Sequence, residues 1–293
     1  MDIKKELAGV RENVLLKQYT TFKIGGPARY FYTAKTKNNL IKSVQVALKL
    51  KLPFFVLAGG SNILIKDEGF NGLVIKNEAG SFKIEKEKVI AESGASLAEI
   101  TEASVRAGLE GLAEAAGIPG TIGGAIYGNA GWPKGAWAIG GRVESVEILT
   151  PNGKIKKVSK KWLAFNYRTS KLKTIKNALV LEVVLKLEKG NKEYLQKKLR
   201  EILEQRSGKI PNGFSAGSVF KNPSGEAAGL LIEKCGLRGK RIGGAQISEK
   251  HANFIINLGN ATANDVLALI DLAKKEVKNK FKITLEEEIR IIG

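Results

Sequence analysis

The sequence predicts an α+β protein with two lobes. In the first half of the chain, strand-like runs such as "ARYFYTA" (28–34) alternate with helical periods such as that of residues 38–52. In the second half, a helical pattern over residues 192–206 is followed by another long helical pattern and by the strand-like terminus "ITLEEEIRIIG". This order of elements is typical of domains that combine helices with sheet, and we place two of them at residues 13–189 and 190–293.

Local signals define the elements of the first domain. "FFVLAGG" (54–60) has the pattern of a buried strand that ends in glycines, and "GLVIKN" and "KVIAESGA" predict further strands. Ser96 followed by Glu99 makes a capping box for a helix that Gly108 ends. Asn152–Gly153 lies between two strand patterns and predicts a hairpin turn. "ALVLEVVLKLEK" then predicts the strand that closes this domain.

Two helices are predicted for the second domain. Thr262 and Asp265 mark the start of a long helix, whose inward residues are Val266, Leu269, Ile270, Ala273 and Val277. The helix over residues 192–206 presents apolar side chains on one face, namely Leu195, Leu199, Ile202 and Leu203. Arg206 continues that face, so we expect its charge to meet an anion or to reach a cleft.

Composition limits the chemistry that the chain can perform. The 293 residues are 43% hydrophobic and 26% charged, without an apolar run long enough for a membrane span or a signal peptide, so we expect a cytoplasmic protein with no membrane partner. With one cysteine the chain cannot form an internal disulfide, and with one cysteine and one histidine it is not expected to bind a transition metal. Cys235 lies in an apolar helical run and is expected to be a buried, inert thiol. Redox chemistry would therefore require an organic cofactor.

The net charge of +19 raises the alternative of a basic nucleic-acid-binding protein. The lysines are spread along the chain, many on polar faces of predicted helices such as "NKEYLQKKLREILEQ". No zinc finger, aromatic RNA-binding signature or basic arm is visible in the sequence. Solvated surfaces explain this distribution better, and no nucleic-acid partner is predicted. A positive field would equally favour a small substrate that carries phosphates.

Two glycine-rich turns are candidates for a cofactor site. In "LAGGSNILI", Gly59 and Gly60 allow the backbone of an anion nest, and Ser61 and Asn62 add side-chain donors suited to a diphosphate. A simple tight turn explains this segment equally well. The dinucleotide fingerprint G-x-G-x-x-G opening a helix is absent from it.

The second turn is longer and almost free of charge. "GIPGTIGGAIYGNAG" contains glycines, a proline and two polar donors that we assign to cofactor binding, namely Gly117, Pro119, Gly120, Thr121, Gly123, Gly124 and Asn129. Two such turns suit a long cofactor that lies across the lobe, whereas tight packing between strands is the alternative.

These two segments and five others follow one another along the chain in an order that resembles the UDP-N-acetylenolpyruvoylglucosamine reductase family. The others are "YTTFKIGGPARYF", "NYRTS", "SAGSVFKNP", "GLRGKRIGGAQISEKHANFIIN" and "LEEEIRIIG". The resemblance implies an N-terminal FAD-binding domain of the PCMH or vanillyl-alcohol-oxidase type and a C-terminal α+β substrate domain. Residues 170–205 are too compact for the tyrosine-bearing insertion of the longer family form, so the chain resembles the short form.

The resemblance also implies a reaction. NADPH reduces the bound FAD, and the hydride then passes to C3 of UDP-N-acetylglucosamine enolpyruvate, which becomes UDP-N-acetylmuramate for peptidoglycan. NADPH and the substrate use the same cleft in turn, so no separate nicotinamide fingerprint is needed. The implied partner is this small UDP-sugar, and we expect a monomer. A flavin oxidase of the same fold is the enzymatic alternative, although it would need neither a proton donor to C2 nor a carboxylate clamp.

Three residues match the catalytic positions of the family. Ser218 of "SAGSVFKNP" matches the serine that gives a proton to C2, while Arg168 of "NYRTS" and Glu288 of "LEEEIR" match the pair around the substrate carboxylate. An arginine suits an anion through its fork of donors. From the residues alone, the alternative for Ser218 is a turn or a helix cap, and for Arg168 it is a surface ion pair. For Glu288 the residues alone favour a solvated edge strand.

Further matches concern substrate binding. Arg206, Lys221 and Asn222 correspond to substrate contacts, with Arg206 near the phosphates, and Lys209 and Gln246 are weaker candidates. His251 of "SEKHANF" occupies a common family position, and we expect it to form structural hydrogen bonds rather than to act in catalysis.

The terminal strand and the end of the cofactor loop depart from the family pattern. By alternation, Leu285, Ile289 and Ile291 are expected on one face of the strand, with Glu286, Glu288 and Arg290 on the other. Glu287 stands where the family usually has proline, which puts the start of the strand in question. "WPKGAW" (132–137) replaces the usual run after Asn129, so the far end of the cofactor loop is expected to differ.

Overall fold

The computed structural model describes residues 3–131 and 137–293, so residues 132–136 of the "WPKGAW" departure lie outside the described part. The chain forms two compact units. The first comprises the described residues of Met1–Val10, Phe31–Gly59 and Leu73–Arg206, and the second comprises Arg11–Tyr30, Gly60–Gly72 and Ser207–Gly293. Two N-terminal segments therefore belong to the same unit as the C-terminal residues.

Helices and strands are mixed along the chain, as predicted for an α+β protein. The helices are α1 Ile3–Glu6, α2 Lys37–Lys49, α3 Leu97–Arg106, α4 Ile122–Gly128, α5 Lys160–Leu163, α6 Lys192–Lys209, α7 Ala228–Lys234 and α8 Ala263–Phe281. The strands are β1 Arg11–Leu15, β2 Pro27–Ala34, β3 Phe54–Leu57, β4 Ile63–Ile65, β5 Phe70–Asn77, β6 Phe82–Glu85, β7 Lys88–Glu92, β8 Leu109–Glu110, β9 Val143–Leu149, β10 Ile155–Ser159, β11 Leu179–Lys186, β12 Glu188–Lys189, β13 Arg241–Ile242, β14 Ala245–Ile247, β15 Ile255–Asn257 and β16 Arg290–Ile292. No described helix has the length and apolarity that crossing a bilayer requires.

The first unit contains a five-stranded antiparallel sheet in the order β10-β9-β11-β7-β6. Apolar side chains of the sheet pack with α3 and α4 in one core, which includes Val89, Ala91, Ile100, Ile122, Ile126, Val146 and Val183. Strand β3 pairs in parallel with β5, with Leu57 opposite Lys76. This pairing brings the end of β3, where the first glycine-rich turn begins, beside the end of β5.

Two helix starts and one hairpin turn are found at the residues that the sequence predicts. The hydroxyl of Ser96 accepts a hydrogen bond from the backbone N–H of Glu99 at 3.3 Å and starts α3. In the predicted hairpin, β9 and β10 pair with Leu149 opposite Ile155, and Asn152–Gly153 lies in the turn between them. In α8, Thr262 and Asp265 cap each other reciprocally, and all five apolar residues predicted to face inward are buried.

The predicted apolar face of α6 is only partly buried, which corrects the sequence-based expectation. Leu195 is fully buried, whereas Leu203 is 40% exposed, and the helix continues to Lys209. The buried part packs against Val105 and Ala113, and Leu199 lies partly buried beside them. An ion pair of 2.7 Å between Lys198 and Glu114 holds the same stretch of the helix. The helix is therefore anchored at its N-terminal half.

The second unit is built around α7, α8 and the three-stranded sheet β13-β14-β15. Strands β16 and β4 pair in parallel, with Arg290 opposite Ile63. Cys235 caps the C-terminal end of α7 and is half-buried rather than buried, and its partial burial raises the pKa of the thiol. The core of this unit includes Phe22, Leu64, Val219, Phe220, Ile232, Leu269 and Leu285.

The terminal strand is shorter than predicted. Only Arg290–Ile292 form a regular strand, while Glu287 makes a single antiparallel bridge with Phe220. The expected alternation holds for Leu285 and Ile289, which are buried, but Ile291 is 37% exposed and Ile292 is buried instead. The extended run is interrupted before β16, so the side chains beyond Ile289 change face.

Candidate active site

The two glycine-rich turns meet within the first unit. A Cβ atom on Gly59 would lie 2.8 Å from the Cα atom of Gly120, closer than any real side chain allows. Gly120 itself has a φ of +112°, in the region that favours glycine. The predicted cofactor site includes both turns, and their close packing requires glycine at both positions.

The second turn is not a loop throughout, because residues 122–128 form helix α4. A Cβ on Gly123 would lie 2.7 Å from the Cβ of Ser93, so close packing on the residue that follows β7 explains this glycine. A Cβ on Gly128 would meet nothing within 4 Å, and Gly124 is exposed. Packing alone therefore does not account for the glycines of this segment.

The two polar donors of this segment make internal bonds. The hydroxyl of Thr121 accepts from the N–H of Gly124 at 3.3 Å and caps α4. Asn129 ends the helix with a φ of 47°, donates to the carbonyl of Asn166 at 2.8 Å and accepts from the N–H of Gly140 at 3.0 Å. The amide of Asn129 thus connects distant parts of the first unit, a role that its sequence position does not reveal.

The surface of the glycine turns fits a cofactor such as FAD. Gly117, Pro119 and Gly124 are exposed, and residues 115–131 contain no charged side chain. An exposed backbone without side chains allows close approach by a flat or phosphate-bearing ligand. These residues of the first unit would hold the cofactor through backbone groups.

The remaining residues of the first turn belong to the second unit. Gly60 has a φ of +64°, and a Cβ there would lie 2.2 Å from the carbonyl oxygen of Tyr19. Asn62 is exposed, and its side-chain amide donates to the carbonyl of Glu288 at 3.2 Å. Its backbone carbonyl accepts from the N–H of Arg290 at 3.0 Å. Ser61 is half-buried beside it. The turn is thereby tied to the C-terminal segment.

Arg168 and Arg206 act on each other electrostatically in the first unit. Burial and, as the smaller cause, the charge of Arg168 together lower the pKa of Arg206 to about 10. The guanidinium of Arg168 lies 5.5 Å from the ring centre of Tyr167, and its backbone has a φ of 53°. A Cβ on Gly117 would lie 2.8 Å from Cδ of Arg206, so this glycine makes room for the arginine. Two neighbouring cations, one of them desolvated, form a site suited to an anion.

Ser218 and Glu288 lie on adjacent segments of the second unit. The N–H of Glu288 donates to the carbonyl of Val219 at 2.7 Å, and both Ser218 and Glu288 are half-buried. Ser218 also forms a bridge with Phe254. Ser218 lies between bends at Gly217 and Val219 and does not precede a helix, so its hydroxyl is not a helix cap.

Asn253 holds this arrangement and was missed by the sequence analysis. Its side chain, which is 4% exposed, accepts from the N–H of Phe220 at 2.9 Å and donates to the carbonyl of the same residue at 2.8 Å. Its backbone carbonyl accepts from Val219 at 2.8 Å. A polar residue within the apolar run "ANFII" is the sequence signal that points to such a buried amide.

Three of the predicted substrate contacts of the second unit have partners within the protein. Lys221 forms an ion pair with Glu286, and the amide oxygen of Asn222 accepts from the N–H of Ala228 at 3.0 Å at the start of α7. Gln246 donates to the carbonyl of Gly239 at 3.1 Å. Lys209 is exposed at the end of α6. Lys221, Asn222 and Gln246 therefore each stabilise their own surroundings in the structure.

His251 and Glu287 have structural environments. Nδ1 of His251 accepts from the N–H of Asn253 at 3.2 Å, and its ring packs on Phe254 with the centroids 5.0 Å apart. Burial lowers the pKa of His251, and Arg238 adds to this effect. Glu287, where the family usually has proline, forms an ion pair of 2.7 Å with Lys274 of α8.

Comparison with known proteins decides the family. Residues 28–159 match the family model of an FAD binding domain, and residues 210–292 match that of the UDP-N-acetylenolpyruvoylglucosamine reductase C-terminal domain. The UDP-N-acetylenolpyruvoylglucosamine reductase of Clostridium novyi is 39% identical over 302 residues, which cover 100% of this chain and 97% of that protein. The chain belongs to the UDP-N-acetylenolpyruvoylglucosamine reductase family.

Two further relatives agree with this assignment. The UDP-N-acetylenolpyruvoylglucosamine reductase of Caldanaerobacter subterraneus is 44% identical over 287 residues, covering 96% of this chain and 93% of that protein. The crystal structure of UDP-N-acetylenolpyruvylglucosamine reductase from Thermus caldophilus has a TM-score of 0.83 at 38% identity, covering 97% of this chain and 100% of that one. The predicted resemblance and the predicted fold class, an FAD-binding domain with a C-terminal reductase domain, are confirmed.

Proposed function

We propose that this chain reduces UDP-N-acetylglucosamine enolpyruvate to UDP-N-acetylmuramate with FAD as cofactor and NADPH as reductant. The observation that carries the proposal is the 39% identity over 100% of the chain, because every residue of the predicted site lies within that similarity. FAD, when bound, would take a hydride from NADPH and deliver it to the vinyl C3 of the substrate. A membrane partner, a metal and a nucleic acid have no part in the proposed reaction.

The proposed FAD contacts are Gly59–Asn62 and residues 117–129. They are supported by the close approach of Gly59 and Gly120 and by the uncharged, exposed backbone that follows. In this proposal residues 13–189 bind the cofactor and residues 190–293 bind the substrate. Thr121 and Asn129 would act chiefly through the backbone conformation that their side chains stabilise.

The proposed proton donor is Ser218. When a hydride adds to C3, negative charge develops at C2 and in the adjoining carboxylate, and a strongly basic carbon can take a proton from a well-placed hydroxyl. The backbone next to this hydroxyl is held by the hydrogen bonds of Val219 with Asn253 and Glu288. The serine gives a proton and forms no covalent bond, so it does not require a histidine as base.

Arg168 and Glu288 would stabilise the substrate carboxylate and the charge that develops beside it. A guanidinium binds a carboxylate through two parallel donors, which a lysine does not reproduce. Arg206 would bind the phosphates, because an anion offsets both its burial and its repulsion by Arg168. Lys221 and Asn222 would contact the substrate from their present positions or support Ser218 through Glu286 and α7.

Anaerobic rapid mixing tests the function. The purified protein, reduced with one equivalent of NADPH, is mixed with UDP-N-acetylglucosamine enolpyruvate while flavin absorbance is followed. Reoxidation of the flavin with formation of UDP-N-acetylmuramate is expected. A flavin that reoxidises only with oxygen, or that an alcohol reduces, would indicate an oxidase. A protein that cannot be loaded with FAD would contradict the proposal, and light scattering would show whether the loaded enzyme is the monomer that we expect.

A further inference from the structure

Lys76 lies where the two glycine-rich turns meet. Its Nζ donates a hydrogen bond of 2.6 Å to the carbonyl of Ala58, the residue directly before Gly59. The parallel pairing of Leu57 with Lys76 explains this reach, since it places the ends of β3 and β5 side by side. Gly59 in turn touches Gly120 of the second turn. The ammonium group is therefore fixed at the start of the proposed cofactor site, in the first unit.

The charge of Lys76 is desolvated without a carboxylate beside it. Burial lowers the pKa of Lys76, and the charge of Glu78 acts in the opposite direction with a smaller effect. Among the ion pairs of the described residues, none includes Lys76, whereas Lys37 of the same unit is paired with Glu147 at 3.2 Å and with Glu182 at 3.0 Å. The fold thus compensates one partly buried lysine with two carboxylates and leaves the other with a carbonyl.

The surroundings of Lys76 suit an anion. Residues 57–65 and 115–131, which form the two turns, contain no acidic side chain that would compete for the ammonium group. An ammonium has three donors, of which the Ala58 carbonyl uses one. A phosphate would complete its hydrogen bonding and offset the cost of its burial.

We propose that Lys76 supplies the positive charge against which the diphosphate of FAD binds, with the Ala58 carbonyl holding the ammonium group in place. The inference rests on the proposed function, because it takes FAD as the ligand of the glycine turns. The competing explanation is that Lys76 only clamps Ala58 and so shapes the turn. The two explanations differ in what matters at this position, the charge or the hydrogen-bond donor.

Three substitutions separate charge from hydrogen bonding. Lys76→Arg keeps both, Lys76→Gln keeps a donor without the charge, and Lys76→Met keeps neither. Lys42→Met is the matched control, because Lys42 is an exposed lysine of α2 in the same unit. The dissociation constant of FAD is measured for each flavin-loaded protein from the rise in flavin fluorescence on dilution, and the urea midpoint of each protein shows whether the fold is intact.

We expect Lys76→Gln and Lys76→Met each to raise the dissociation constant of FAD about ten-fold or more, Lys76→Arg to stay within about three-fold of the wild type, and Lys42→Met to match it. Wild-type affinity in Lys76→Gln with weak binding only in Lys76→Met would overturn the proposal in favour of the clamp. Unchanged affinity in all three variants would overturn it as well. A wild-type protein that does not bind FAD would instead refute the proposed function.

Discussion

The backbone N–H of Glu288 donates a 2.7 Å hydrogen bond to the carbonyl of Val219, the residue that follows Ser218. Two positions 70 residues apart in the sequence, both candidates for the same chemistry, are thereby held on neighbouring segments of one unit. Asn253 completes the arrangement with two side-chain hydrogen bonds to Phe220. The geometry supports the joint action of Ser218 and Glu288 in the proposed reaction.

Removing the hydroxyl of Ser218 should separate the two half-reactions. In Ser218→Ala, the reduction of bound flavin by NADPH should stay within about two-fold of the wild type, because no proton is delivered to carbon in that step. Reoxidation by the enolpyruvyl substrate should fall by about 10²-fold or more, the usual contribution of a positioned acid. Stopped-flow absorbance measures both rates. Equal losses in the two steps would contradict the assigned role.

Arg168→Lys should fail to restore turnover. A lysine keeps the charge but lacks the planar pair of donors that a carboxylate requires, so we expect kcat to fall by about ten-fold or more, close to the loss in Arg168→Ala. Steady-state kinetics with both variants measures the difference. Near-normal turnover of Arg168→Lys would show that charge alone suffices at this position.

The ion pair between Lys198 and Glu114 should position Arg206. Both side chains are about a quarter exposed, and Arg206 lies two turns further along α6. Lys198→Met leaves the partly buried carboxylate without its partner, so the free energy of unfolding should fall by about 1–3 kcal/mol. The KM for the UDP-sugar should rise more than kcat falls, because Arg206 is proposed to bind phosphates.

The exchange of the two charges provides the control for this pair. The double variant Glu114→Lys/Lys198→Glu should recover part of the stability lost in either single variant, as measured by urea unfolding. Additive losses in the double variant would show that the two residues do not interact energetically.

The single histidine should make stability depend on pH. The fold lowers the pKa of His251 below 6.5, mainly through burial, so the unfolded chain binds a proton there before the folded chain does. The contribution of His251 to the free energy of unfolding is therefore complete above pH 6.5. It is lost as the pH falls from that value toward the lower folded-state pKa. Urea midpoints at pH 8, 6.5 and 5.5 measure this loss. His251→Gln should flatten the dependence, and parallel curves for the two proteins would refute it.

Gly59→Ala should destabilise the first unit, whereas Gly128→Ala should not. A methyl group on Gly59 would clash with the backbone of Gly120, and overpacking of this kind costs about 1–3 kcal/mol. A methyl group on Gly128 meets nothing within 4 Å, and alanine is the better helix former. Thermal unfolding of the two variants gives the comparison, and equal midpoints would show that the turns can move apart.

Several errors of the sequence analysis have one physical origin. The period of α6 predicted an apolar face correctly, but the burial of that face depends on which segments pack against it. Leu195 is buried against Val105 and Ala113, whereas Leu203 remains 40% exposed. The alternation in the terminal segment failed at Ile291 because regular pairing with β4 begins only at Arg290. Cys235 was expected to be buried because its neighbours are apolar, yet it lies at the end of α7, where the helix meets solvent.

The sequence by itself determined where helices α3 and α8 begin, where the β9–β10 hairpin turns, and to which family the chain belongs. These features depend on residues only a few positions apart, or on motifs whose order can be read directly. Only the tertiary structure decided that Gly59 meets Gly120, that Lys221 pairs with Glu286 across 65 positions, and that Asn253 supports the Ser218 segment. Such contacts join segments that are far apart in the chain, so no local pattern encodes them.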